Sequence, residues 1–309
     1  MRTFPLAALA GAAALLLTAC GTQATSARGD GDRRCTSASP LPPGAAGLSE
    51  GGVRITSFAA AATAGGGCPA SEATATYEVT NDSGTPMTYT VALGFRSASG
   101  GAVDVVTQTV AGVPPGQTVR RTVRPNRLPS AAPAVTGAEI SKVRGVPAAE
   151  APSQGGPCPR SGVRVYADQG DAAMGLRVVG LHLENCSTGV YRLDGYPELQ
   201  LLDEKHAPVT GVRVQHGGAG ISSGTGADAP PVPLALKPGE AARATLTWRN
   251  TTGFGDPVNA PYVRVHARPG AAPVTVTPEL DLGTTGRLGV GAWQRADVGP
   301  GGGGSPDIP

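Results

Sequence analysis

Cys20 is the residue whose type and setting point most directly to chemistry. It closes Leu17-Thr18-Ala19-Cys20 and is followed by Gly21. Leucine, two small residues and a cysteine read as a lipobox. The small side chains let a peptidase take the segment extended and cut before the cysteine, whose sulfur then carries a diacylglyceryl group. The upstream residues agree: Met1-Arg2-Thr3 gives a short positive start, and Phe4 to Leu17 is apolar. That run is shorter than the ~20 residues a membrane-spanning helix needs and matches the core of a signal peptide. Residues 1–19 are therefore expected to be a lipoprotein signal peptide. Cys20 is the expected lipidation site, its acyl chains anchoring the protein to the outer face of the cell membrane.

The other cysteines are Cys35, Cys68, Cys158 and Cys186. Four thiols in an exported chain read as two disulfides, and three connectivities are open. Locality favours Cys35–Cys68 and Cys158–Cys186, because a Pro/Gly-rich segment separates the pairs. A zinc site is not supported, since no two cysteines have C-x-x-C spacing and no histidine stands beside one at ligand spacing.

Gly220-Ile221-Ser222-Ser223-Gly224 satisfies G-x-S-x-G. A nucleophile elbow needs a strand before it and a helix after it, and this copy sits in a Gly-rich loop. Of the four histidines, His182 shares a strand face with Glu184, a pair that could seed a metal site, although a solvated strand face accounts for it equally. No triad, carboxylate pair or metal spacing emerges, so no catalytic residue, metal or cofactor is expected and the chain does not read as an enzyme. A formal charge of +2 with no basic stripe makes no case for nucleic acid.

The elements that must position these residues are strands. Met87, Tyr89, Val91, Leu93 and Phe95 alternate with small or polar residues, and Ala73, Ala75, Tyr77 and Val79 do the same. This is the period of a strand with one buried face, and Asn81-Asp82-Ser83-Gly84 between the two runs is turn chemistry. Val103–Val113, Thr118–Arg124, Leu176–Glu184, Val209–Gln215, Ala242–Arg249 and Tyr262–Arg268 continue the theme. No helical spacing appears beyond the signal peptide. The expected fold is all-β, as two tandem immunoglobulin-like β-sandwiches. The 46 glycines and 29 prolines are partly concentrated in connectors. The expected organisation is a flexible tether over 20–52, a first domain over 53–145, a flexible linker over 146–157, a second domain over 158–298 and a disordered tail over 299–309.

The halves echo one another. Pro115-Gly116-Gln117-Thr118-Val119-Arg120-Arg121-Thr122-Val123 and Pro238-Gly239-Glu240-Ala241-Ala242-Arg243-Ala244-Thr245-Leu246 share P-G-x-x-x-R-x-T-aliphatic, each downstream of a strand ending in Asn. The second half also carries Leu183-Glu184-Asn185-Cys186, Gly195-Tyr196-Pro197, and Pro238-Gly239 leading to Trp248. Together with Cys158, these resemble the family of domains of unknown function numbered 4232, over roughly residues 158–298. In that family a cysteine is expected a few residues after the Asn, nearer G-Y-P; here Cys186 follows it directly. The resemblance implies an exported protein or lipoprotein of a high-G+C Gram-positive bacterium and implies no known activity.

The functional expectation is a membrane-anchored, extracytoplasmic binding or interaction module whose partner is an unknown protein or cell-wall component. A structural envelope spacer is the alternative and an extracellular hydrolase the weakest reading. Binding on such scaffolds sits in loops. The candidates are Ser187–Pro197, with Tyr191 and Tyr196, and His216–Pro231, opening on His216.

Overall fold

The computed structural model describes residues 39–41, 47–62 and 71–296. The signal peptide, Cys20, Cys35, Cys68, most of the tether and the tail 299–309 lie outside the described residues.

The first half contains β1 (Ser39–Pro40), β2 (Ser49–Glu50), β3 (Val53–Ala59), β4 (Thr74–Thr80), β5 (Met87–Ser97), β6 (Ala102–Val113), β7 (Thr118–Val123) and β8 (Val135–Pro147). They make two antiparallel sheets: β1-β3-β4-β7 with β2 joining β3, and β6-β5-β8. The period-2 pattern sets the faces. In β4, Ala75, Tyr77 and Val79 are buried while the threonines and Glu78 between them are not. They meet Tyr89, Val91, Leu93 and Phe95 of β5 in one apolar cluster, so each sheet covers the apolar face of the other.

The second half contains β9 (Val163–Ala167), β10 (Asp171–Ala173), β11 (Leu176–Asn185), β12 (Tyr191–Leu193), β13 (Glu198–Leu202), β14 (Arg213–His216), β15 (Leu234–Leu236), β16 (Ala241–Arg249), β17 (Asn259–Ala260), β18 (Tyr262–His266), β19 (Val274–Val276), β20 (Leu280–Asp281), β21 (Arg287–Val290) and β22 (Gln294–Ala296). The main sheet runs β10-β11-β16-β21-β14, with β9 also on β11 and β22 also on β16. Its β14–β21 pairing is parallel. Against it pack β13-β18-β19 and the pair β12-β15. Trp248, Trp293, Leu181, Leu183 and Leu246 are among the residues of their shared core. The described residues form no α-helix, only a 3-10 turn at Ala148–Glu150.

Two expectations about connectors are corrected. The end of the tether belongs to the fold: β1 and β2 pair with β3, and Leu48 is buried in the first core. The flexible linker expected at 146–157 is held to the fold at several points. Val146 and Pro147 finish β8, and Val146 packs with Leu202 and Tyr262 in a small apolar cluster. Glu150 is held by the Arg264 guanidinium and accepts a hydrogen bond from the Thr275 hydroxyl at 2.7 Å. Ser153 N–H donates to the Val165 carbonyl, and the Gly156 carbonyl accepts from Arg164. Proline and glycine marked the segment as loose; Ala148 N–H nonetheless donates to Pro86 O of the first half, and the Glu150 carboxylate, Ser153 N–H and Gly156 carbonyl are bonded to the second half. Arg144 of β8 completes the junction with a two-pronged ion pair to Glu279, at 2.7 Å from both Nε and Nη2.

Candidate functional site

The second half is organised around Asn185. Its side-chain amide donates to the Gly189 and Leu236 carbonyls, both at 2.8 Å, and its Oδ1 accepts from the Ser187 N–H and hydroxyl. Its backbone N–H donates to Glu240 O, and its carbonyl accepts from Gly239 N–H. The residue is wholly buried, so each of these bonds replaces one that water would have made. The next residue, Cys186, forms a disulfide with Cys158. The local pairing chosen from sequence is the one present. The first Cys pair lies outside the described residues.

The three candidate binding residues divide. Tyr191 is buried in the core and carries the Arg268 guanidinium over its ring at 4.3 Å. Tyr196 and His216 come together across more than a dozen intervening residues, their rings stacked at 3.8 Å and within 3° of parallel. Each ring covers a face of the other. Pro197 beside them is buried, and Gly195 O accepts from Trp293 N–H. This is a packed corner rather than an open aromatic platform.

The loop after His216 is the more informative surface. It lies directly on the outer face of β16 and β21. Gly218 is buried and Ala227 fully so. Glycine permits the approach: a Cβ on Gly289 would stand 2.6 Å from Gly217 O and 2.8 Å from the Thr247 methyl, closer than side chains tolerate. Asp228 Oδ1 accepts from the Gly218 and Ala219 N–H groups at 2.7 and 2.8 Å, pinning the loop to its own return. Arg249 Nε donates to Ile221 O at 3.2 Å, and Thr285 Oγ1 donates to Arg249 O at 3.1 Å. Between them lies an open depression of about 280 Å³ lined by Gly220, Ile221, Arg249, Thr285 and Arg287.

Ser222, in the same loop, places its hydroxyl 3.5 Å from Ser223 O. Among the described residues no imidazole or carboxylate hydrogen-bonds to it. His182 faces Asp168 at 2.9 Å and stacks on Tyr166, while Glu184 is engaged by Arg164; the two do not share a ligand. Asp168 also accepts from the N–H groups of Gly170 and Gly180. Burial works to raise its carboxyl, but the hydrogen bonds from His182 and Gly180 and the charges of His182 and Arg243 hold it below the usual carboxylate range. A carboxylate so fully used is a structural tie. His206 reaches Gly145 O across the junction, and His266 reaches Ala271 O.

Sequence reasoning passed over Arg213, Arg249 and Arg287. Arg249 stood in the outward-facing set of an alternating strand, and nothing local marked it. What gathers the three is the β14–β21 pairing, which sets Arg213 in register with Arg287, next to the end of β16.

No curated protein matches the chain. Residues 158–294, the segment that carries Asn185, the Cys158–Cys186 disulfide, the Tyr196–His216 stack and the docked loop, match the model of the family described as Domain of unknown function (DUF4232).

Proposed function

We propose that this is a lipid-anchored extracytoplasmic protein whose two halves are immunoglobulin-like sandwiches, and that its second half is a non-catalytic binding module. The observation that carries the reading is the docked loop. A segment of Gly, Ser, Pro and Ala would ordinarily be mobile, yet this one is fixed to the sheet by glycine contacts and Asp228 and borders an open depression. Fixing a loop before a ligand arrives lowers the ordering cost of binding. A hydrolase reading lacks support, because among the described residues no base is positioned at Ser222. The anchoring part rests on the lipobox at Cys20. Two measurements test the proposal. Cys20→Ala should move the protein from the detergent phase to the aqueous phase. Crosslinked pull-down from intact cells should capture a surface component with the parent and lose it with Gly289→Ala, which displaces the loop. Equal capture by both would remove the loop from the function.

A further inference from the structure

We infer that the depression beneath the docked loop is a site for a phosphate-type oxyanion, held by Arg249 and Arg287 with Arg213 beside them; this rests on the binding-module reading and names the ligand class.

Side-chain alternation places three arginines on one face of the sheet. Leu288 and Val290 of β21 face the core, so Arg287 and Gly289 face outward. On β16, Trp248 and Leu246 face the core, so Arg249 and Thr247 face outward. On β14, Gln215 faces outward, because a Cβ on Gly220 of the loop would meet its amide at 2.8 Å. Arg213, two residues earlier, therefore projects from the same face, in register with Arg287. Neighbouring strands lie ~4.8 Å apart, so three guanidinium-bearing residues share one end of the sheet.

Clusters of like charge repel, and folded proteins usually answer them with carboxylates. Five arginines of the second half are answered so: Arg164 has Glu184, Arg177 has Asp281, Arg243 has Asp168, Arg264 has Glu150 and Arg295 has Glu240; Arg268, which has none among the described residues, lies over the Tyr191 ring instead. Among the described residues no carboxylate lies within 4.0 Å of Arg213, Arg249 or Arg287. Arg249 is moreover placed in advance. Its carbonyl is held by Thr285 and its Nε by Ile221 O, which leaves both Nη groups available. A planar fork with free donors suits an oxyanion. One carboxylate offers two coplanar oxygens and satisfies one fork, whereas a phosphate-type group offers three oxygens on different sides and more charge. Two guanidiniums lining an opening of about 280 Å³, with the Arg213 position in register beside Arg287, fit the second better. The group has two possible sources, a free or polymer-borne phosphate and a lipid headgroup.

The test is titration of the full chain with inorganic phosphate, with dimethyl phosphate, with acetate, and with vesicles of phosphatidylglycerol or phosphatidylcholine. Arginine Nε–H signals are followed by NMR, alongside melts that confirm each variant is folded. Phosphate should shift the Arg249 and Arg287 signals. Arg249→Gln and Arg287→Gln should each weaken binding about tenfold, Arg213→Gln less, and Arg249→Lys should recover only part of the affinity, because a point charge cannot replace the fork. Affinity should fall as salt rises. Saturation by free phosphate or dimethyl phosphate assigns a soluble or polymer source; retention only on phosphatidylglycerol vesicles assigns a headgroup. Acetate binding as tightly as phosphate overturns the phosphate assignment, and so do folded Gln variants that bind like the parent. If no anion binds while the protein still captures a surface partner, the oxyanion inference fails and the binding-module reading stands; if capture fails as well, both fall.

Discussion

Asn81 and Asn185 do the same work at the same corner of the two halves, in surroundings that then diverge. Asn81 donates to Thr85 O and Val113 O, accepts from the Ser83 N–H and hydroxyl, and exchanges backbone bonds with Gly116 and Gln117. Asn185 repeats this bond for bond with Gly189, Leu236, Ser187, Gly239 and Glu240. Each stands at the end of an inner strand, β4 or β11, that pairs with the strand after the Pro-Gly turn, β7 or β16. Beyond the corner the first half continues as β5, one unbroken strand between β6 and β8. The second half breaks the corresponding chain at Gly195-Tyr196-Pro197 into β12 and β13. It then inserts β14 and the docked loop before β15. The shared corner fixes the frame, and the inserted segment supplies the surface that differs. Function grafted onto a tolerated insertion is a common division of labour.

Four experiments test how far the two corners are equivalent. The largest effect is expected from the disulfide, present at the second corner. Cys158→Ser with Cys186→Ser should destabilise by about 3–4 kcal/mol in the chain-entropy model for a 28-residue separation, read by denaturant melts. A change below about 1 kcal/mol would mean that Asn185 alone defines the corner. Next, Asn185→Ala should cost about 3 kcal/mol, since buried carbonyls and amides lose their partners. Asn81→Ala should cost a similar amount, and a large disparity would show the equivalence to be geometric but not energetic. Third, Gly289→Ala should cost about 2 kcal/mol through overpacking against Gly217 O and raise amide exchange in 217–228, with 81–116 unaffected. The smallest effect concerns the junction. Burial works to raise the Glu150 carboxyl, but bonds from Arg264 and Thr275 hold it below its ordinary value of 4.5. A depressed carboxyl contributes stability above its unfolded value and loses it as pH falls through the folded one. The part of the melting temperature that Glu150 contributes should therefore be constant on the alkaline side of 4.5 and decline below it. Glu150→Gln should flatten part of that decline and cost about 1.5 kcal/mol near neutrality.

The legible parts of the fold were those where period 2 runs unbroken. β4, β5 and β16 announce themselves because each buried side chain is two residues from the next. The 13-residue strand β8 did not. Its pairing with β5 skips a residue between Ile140 and Lys142 and another between Val135 and Gly137, so Ile140 and Val143 of one core fall three apart, while Val146 is buried in the separate cluster with Leu202 and Tyr262, and the alternation is lost. Strands of two to four residues, such as β17, β19 and β20, carry too few positions to show any period. The P-G echo was readable, and so was the Asn upstream of it, but not that the two bond to each other, because the contact closes over many tens of residues. The loop was picked out by composition, which gave its place but not its docking on the sheet. The arginine cluster had no sequence signal at all, since a parallel pairing between β14 and β21 assembles it.

The Cys158–Cys186 crosslink has a mechanical consequence. If the chain is drawn out from its two ends, tension bypasses the segment between the sulfurs, a sequence separation of 28, which includes β9, β10 and β11. At ~3.5 Å per extended residue, roughly 90 Å of contour stays locked until the bond is reduced. Under oxidising conditions the stretched second half would therefore give way in a shorter step than its residue count implies. A reductant would lengthen that step without altering a single strand of the resting fold.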